Sequence, residues 1–298
     1  MTKSEEYLDR SLEESIAHLE ARRRHYRRHF IAGIVCGSIF GLACFALIVV
    51  GGILGKIYLV LPGMGAFLFI TPIFIFRAIH ALNKYKALFA TEVAPLFASG
   101  VYEGFKADTE KDLSVLKKKM ITEMTKKPDD EAASYYEGVY RGVSFFTFGY
   151  NYSAPGKGHP RAVVGRYYEF TLPHEAVCET LVKNKKSPNI FNKRSLPVVV
   201  KTESTVFEAN HATSAVDDTK AREVLTPLVL VAVNDVEEEY KGNISAYFNG
   251  NKTVLYLDDY QVGFKLSINK EVTIELLRSY GEEVTLASKL VKAFGLSR

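Results

Sequence analysis

The chain has 298 residues, a formal net charge of +4, 47% hydrophobic residues and 24% charged residues. These averages are typical of a globular protein and exclude a collagen-like or a disordered chain, and three cysteines are too few for a secreted disulfide framework. The length predicts about two structural units.

Residues 1–30 predict a cytoplasmic amphipathic helix followed by a basic segment beside a membrane. Apolar residues recur at helical spacing between Ser4 and Ala21, at Leu8, Leu12, Ile16 and Leu19. The residues that we expect at the membrane surface are all arginines: Arg22, Arg23, Arg24, Arg27, Arg28 and, after the apolar region, Arg77. Such residues attract anionic lipid headgroups, so membrane lipid is an expected partner.

Residues 31–76 predict a transmembrane hairpin. Ile31–Gly55 and Ile57–Phe76 contain no charged residue, and each run is long enough to cross a hydrocarbon core as a helix. A pair of buried core helices is the alternative, but a globular core seldom needs two such runs in succession. Only Lys56 separates them, whereas arginines and lysines flank the outer ends, so both termini are expected in the cytoplasm.

Gly33, Gly37 and Gly41 form a stripe at four-residue spacing that allows close approach of another helix. The partner is either the second span, with Gly63 and Gly65, or the same stripe in another subunit, and the short turn favours the first choice. Neither span contains an Asp, Glu, Lys, Arg or His residue, which argues against a transporter or pump.

Residues 77–125 predict a helical cytoplasmic extension. The apolar stripe of the second span continues to about Pro95, and a further helix is expected over Lys106–Met124.

Residues 126–298 predict a cytoplasmic α+β domain with mainly antiparallel strands, because strands and helices come in groups and do not alternate. The whole segment 77–298 is nearly neutral, with a formal net charge of +2. Nucleic acid is therefore not an expected partner. The predicted elements of the first half are strands over Tyr140–Tyr152, Val163–Leu172 and Leu196–Lys201 and a short helix over His174–Val182.

In the second half, a helix over Thr219–Tyr240 is expected to bend or split at Pro227. Asn249-Gly250 predicts a type I′ turn between strands Ile244–Phe248 and Thr253–Leu257. A further strand is expected over Phe264–Ile268. A final amphipathic helix is expected over Val272–Phe294, interrupted or bent near Gly281.

The stretch Phe207–Leu228 combines Phe207-Glu208, Asp217/Asp218, Ala221-Arg222 and Leu225-Thr226-Pro227, and the hairpin NISAYFNGNKTVLYL follows it. This pattern resembles a bacterial family catalogued as domain of unknown function 3137. The resemblance implies a basic N-terminal segment, two closely spaced spans and a cytoplasmic α+β domain. It implies no catalytic residue, and Asn210-His211 stands where an aromatic residue is usual.

The sequence has no phosphate-binding loop and no HExxH, GxSxG or CxxC motif, and its histidines are scattered. We therefore expect no catalytic residue, no metal site and no cofactor. The candidates for a polar ligand site are Glu208, Asp218 and Arg222.

These features predict a membrane-anchored, non-enzymatic protein that presents an interaction domain at the cytoplasmic face of the bacterial inner membrane. Its expected partners are lipid and either an unidentified protein or a second copy bound through the glycine stripe. The alternative is a membrane-tethered enzyme or small-ligand sensor that uses a polar site in the α+β domain.

Overall fold

The structure is a computed structural model that describes residues 3–108, 135–154, 161–187, 190–191, 194–259 and 267–297. It divides into two compact units. The first comprises Met1–Phe89 and Lys265–Arg278, and the second comprises Ala90–Phe264 and Ser279–Arg298.

The first unit is built on two long helices, α1 (Lys3–Ile53) and α2 (Ile57–Leu88), and both are long and apolar enough to cross a membrane. The helix α1 ends in a Schellman motif, in which Lys56 N donates to Gly51 O at 2.8 Å and Gly55 N to Gly52 O at 3.2 Å. Gly55 has a φ of 64°, which glycine adopts without steric strain. This motif reverses the chain within three residues.

A π-helical turn (Phe89–Val93) follows α2, and α3 (Ala94–Ala98) comes next. The strand β1 (Glu103–Asp108) comes after it, so the prediction of a purely helical segment over 77–125 is wrong at this strand. Lys106 to Asp108 of the predicted helix Lys106–Met124 lie in β1, and the remainder lies outside the described residues.

The second unit contains a nine-stranded antiparallel sheet, which confirms the predicted α+β class. The strand order is β1-β2-β3-β4-β9-β8-β5-β7-β6. The remaining strands are β2 (Tyr135–Tyr140), β3 (Val143–Ala154), β4 (Arg161–Thr171), β5 (Thr180–Asn184), β6 (Val198–Val200), β7 (His211–Ala215), β8 (Asn243–Asn249) and β9 (Lys252–Asp258).

The described part of the second half of the chain contains four further helices, and we number them in chain order. They are α4 (Thr205–Asn210), α5 (Asp218–Val224), α6 (Pro227–Tyr240) and α7 (Ile274–Ala293). Pro227 separates α5 from α6 as predicted, and the Thr226 side chain caps α6 by accepting from Val229 N at 3.4 Å. The final helix is not interrupted at Gly281, because α7 runs through it.

The central hairpin β3–β4 is paired from Ser144↔Thr171 to Ala154↔Arg161. Residues 143–152 of the predicted strand Tyr140–Tyr152 lie in β3, whereas Tyr140 ends β2. The chain turns between the two strands at Arg141 and Gly142, with φ values of 50° and 80°. The predicted helix His174–Val182 is wrong, because β5 begins at Thr180 and residues 174–179 are not helical. The predicted strand Phe264–Ile268 lies outside the described residues except at its last two positions, which are not in a strand.

Candidate functional site

The α1–α2 seam is formed by small residues. A Cβ atom added to Gly33 would lie 2.9 Å from the Phe74 carbonyl oxygen and 3.0 Å from Ala78 Cβ. One added to Gly37 would lie 3.2 Å from Phe74 Cβ, and one added to Gly41 would lie 3.7 Å from the Thr71 methyl carbon. The structure therefore places the glycine stripe against residues 71–78 of α2. This part of α2 is C-terminal to Gly63 and Gly65.

Large apolar side chains point away from this seam along both helices. Leu42, Ile53 and Phe69 are 69%, 78% and 75% exposed within the chain. Soluble monomers rarely expose a continuous apolar surface of this extent, and such a surface marks a site of membrane or protein contact.

The basic residues next to this apolar surface differ in exposure. Arg22, Arg24, Arg27, Arg28 and Arg77 are exposed. Arg23 is only 3% exposed, so its prediction as a membrane-surface residue is wrong. The α-helical period turns Arg23 toward the interior of the first unit, where Leu19 is also buried.

Arg23 joins α1 to the segment before α7. Its guanidinium donates to both carboxylate oxygens of Glu20, at 2.8 and 2.5 Å, and to Ile268 O at 3.0 Å. Glu20 in turn accepts from Val272 N at 3.3 Å. The hydrogen bond from Arg23 lowers the pKa of Glu20 from 4.5 to about 2, which keeps this pair ionised at neutral pH.

The candidate polar residues do not converge in the second unit. Asp218 and Arg222 form an exposed ion pair at 3.3 Å across one turn of α5. The Glu208 carboxylate accepts from the backbone N–H of Thr202 instead. Asp217 caps α5 by accepting from Lys220 N at 3.0 Å. Each of these carboxylates therefore has a local structural partner.

A buried polar network between β3, β4 and α7 was not predicted from the sequence. Arg166 pairs with Glu283 and donates to Thr147 Oγ1 at 2.9 Å, and its guanidinium carbon lies 4.5 Å from the centre of the Tyr136 ring. Burial raises the pKa of Glu283, and Arg166 opposes that rise. Arg166 and Glu283 are far apart in the sequence, so no local pattern could reveal the pair.

A second missed network surrounds the Glu237 carboxylate of α6. Glu237 Oε1 accepts from Asn184 Nδ2 at 2.6 Å and Ile244 N at 2.7 Å and contacts His211 Nε2 at 3.1 Å. His211 Nδ1 lies 3.1 Å from Phe207 O. These contacts satisfy the buried histidine within the fold. Among the described residues, no group of three or more His, Cys, Asp or Glu side chains is arranged to hold a metal ion.

No curated protein and no solved structure matches the chain. The model of one family matches residues 165–296, a range that begins in β4 and extends beyond α7. Over this range the chain is similar to the family described as "Protein of unknown function (DUF3137)".

Proposed function

We propose that the α1–α2 hairpin anchors this protein in the inner membrane of a bacterial cell, with both termini in the cytoplasm. The second unit then acts at the membrane face as a non-enzymatic interaction domain. The observation that carries the proposal is the continuous apolar surface over residues 31–76, whose large side chains are exposed within the chain.

Burial in lipid accounts for this surface. Transfer of apolar area out of water contributes about 25 cal/mol per Å². Side chains such as Leu42, Ile53 and Phe69 gain nothing from the α1–α2 seam, because they point away from it. A hydrocarbon environment stabilises them, and the backbone polar groups of both helices are already satisfied within each helix.

The charges that flank the apolar surface support the orientation. Five exposed arginines lie at the outer ends of the hairpin, and Lys56 is the only charged residue in the turn. Positively charged residues favour the cytoplasmic side, and each contributes about 1 kcal/mol near an anionic surface. Arg23 is not part of this attraction, because it is buried against Glu20.

The second unit supplies the interaction surface for an unidentified protein partner. Self-association through the glycine stripe is less favoured, because Phe74 and Ala78 of the same chain occupy that face. The exposed pair Asp218–Arg222 and the locally bound Glu208 offer no shared polar site for an enzyme. A membrane-tethered enzyme or sensor that used these three residues is therefore the weaker alternative.

Reporter fusions test the anchor and its orientation. We expect a cytoplasm-active reporter to function when fused after residue 298, and a periplasm-active reporter to function when inserted beside Lys56. The protein should also stay in the membrane pellet after extraction with alkaline carbonate. Release by carbonate would contradict the anchor, and periplasmic activity of the C-terminal fusion would contradict the orientation.

A further inference from the structure

A groove of about 290 Å³ opens on the second unit, where β2, β3 and β4 run side by side. The strand register places Glu137, Phe146 and Glu169 opposite one another in one row across these strands. A second row, Val139–Ser144–Thr171, runs beside the first. Residues opposite each other in antiparallel strands share a face, so two carboxylates flank one aromatic ring.

Two equivalent tyrosine–glutamate pairs build this arrangement. The Tyr135 hydroxyl donates to Glu137 on β2, and the Tyr167 hydroxyl donates to Glu169 Oε2 at 2.7 Å on β4. The Phe146 ring contacts both tyrosine rings, with centroid distances of 6.1 Å to Tyr135 and 5.9 Å to Tyr167. Both carboxylates and the ring between them are therefore held in place before any ligand arrives.

The chemistry of the groove favours a cation. Carboxylates bind ammonium groups through short charge-assisted hydrogen bonds, and an aromatic face adds a cation–π attraction. Among the described residues, the lining includes the two glutamates and the hydroxyls of Ser144 and Thr171, and neither a lysine nor an arginine is part of it. The volume is near the lower limit for small-molecule sites, so the ligand is small.

A side chain of the protein already shows the expected mode of binding at one of the two carboxylates. Lys252 Nζ, on a half-exposed side chain, contacts Glu169 Oε1 at 3.0 Å. A second lysine of the described residues, Lys106, pairs in register with Glu137 and is exposed. An incoming ammonium group thus competes with Lys252 for Glu169.

We propose that this groove binds a small alkylammonium ligand, with the ammonium group over Phe146 and between Glu137 and Glu169. The ligand is either a free amine of the diamine type or the end of a lysine side chain, since both present the same group. This inference is independent of the membrane anchor.

Titration calorimetry on the full chain in a non-ionic detergent tests the proposal with 1,4-diaminobutane as the probe. For a ligand of this size we expect one site with a dissociation constant on the order of 1 mM. The neutral analogue 1,4-butanediol has nearly the same shape and should not bind. Equal binding of the diol, or no binding of the diamine, would overturn the proposal.

Four variants show whether binding occurs in the groove. Glu137→Gln should weaken diamine binding by about tenfold, and Phe146→Leu by about threefold. Lys252→Met should strengthen it, because it removes the competing ammonium from Glu169, and damage to the fold would not produce that gain. Glu203→Gln is the control, because Glu203 is exposed and follows β6 at the opposite edge of the sheet.

A second probe distinguishes the two sources of the ligand. Tighter binding of N-acetyl-lysine amide than of the diamine would identify a lysine side chain, and the reverse order would identify a free amine. Either order of affinity supports the proposal if Glu137→Gln weakens the binding of both probes. Binding that is unchanged by Glu137→Gln and by Lys252→Met would overturn it.

Discussion

Two arginines of the described residues are buried, and each is paired with a glutamate. Arg23 and Arg166 are both 3% exposed, and their partners are Glu20 on the same helix and Glu283 on a distant one. A buried charge is costly unless it is paired and hydrogen-bonded, so each glutamate is required by its arginine. Arg23 thus belongs to the fold, although its neighbours in the sequence face solvent.

Arg23→Met and Arg24→Met form a matched pair of variants. Arg23→Met removes the bond to Ile268 O and leaves Glu20 without its main partner. Loss of a charged hydrogen bond costs about 1.5–3 kcal/mol, so amide exchange over residues 267–273 should accelerate by about 10–100-fold. Hydrogen-exchange mass spectrometry of the full chain in detergent measures this change.

Arg24→Met is the control for this substitution. Arg24 is 68% exposed and contacts Glu20 at 3.3 Å, and such surface pairs contribute about 0–1 kcal/mol. Exchange over residues 267–273 should therefore change little. Equal effects of the two variants would show that Arg23 does not hold this segment.

At the scale of elements, local signals predicted those parts of the fold that depend on local chemistry. Pro227 predicted the division between α5 and α6 because proline cannot continue a helix but suits its first turn. The β8–β9 hairpin was also predicted, although its turn is displaced by one residue. Asn249 pairs with Lys252, so Gly250 and Asn251 are the central residues. Of these two residues, only Gly250 has a positive φ, and this pattern fits a type II′ turn.

Elements that depend on distant partners were not predicted. The strand β5 lies between β7 and β8 and is buried on both faces, so it lacks the alternation that identifies a strand. The β2–β3 turn was missed because Arg141 adopts a positive φ, which is uncommon for a residue with a side chain. The groove of Glu137 and Glu169 was not predicted, because these residues are distant in the sequence and only the strand register brings them together.

The α1–α2 packing is tested by Gly33→Ala with Gly65→Ala as its control. A methyl group at Gly33 would contact the backbone oxygen of Phe74, whereas nothing lies within 4 Å of the equivalent position at Gly65. We expect Gly33→Ala to destabilise the hairpin by about 1–3 kcal/mol. Gly65→Ala should be neutral or stabilise it by up to about 1 kcal/mol.

Unfolding of the hairpin by SDS in mixed micelles measures this difference. Energy transfer between dyes on cysteines introduced at the exposed positions 22 and 86 reports the separation of the two helices in a variant that lacks the native cysteines. Equal midpoints for the two glycine variants would show that Gly33 does not lie in a tight helix contact.

For the whole molecule, the two units bury apolar surface in different ways. The first unit has a narrow seam of small residues and leaves its large apolar side chains exposed, whereas the second unit encloses aromatic residues such as Phe148, Tyr167 and Tyr256. Only the second pattern provides a buried apolar core within the chain, because these large aromatic side chains pack against one another. An apolar surrounding would bury the exposed side chains of the first unit, and this is the physical basis of the proposed anchor.

The three native cysteines test this difference, because they sample both units. Cys36 is exposed on α1, Cys44 is buried in the α1–α2 seam, and Cys178 is buried in the second unit. In open membrane fragments we expect a hydrophilic maleimide to leave all three unlabelled in single-cysteine variants, since lipid covers Cys36 and protein covers the others.

A cysteine-free variant with Ser195→Cys is the positive control, because Ser195 is exposed. All four sites should react in SDS. If Cys36 reacts in membranes as fast as the control, its face of α1 lies in water and the proposed anchor is wrong.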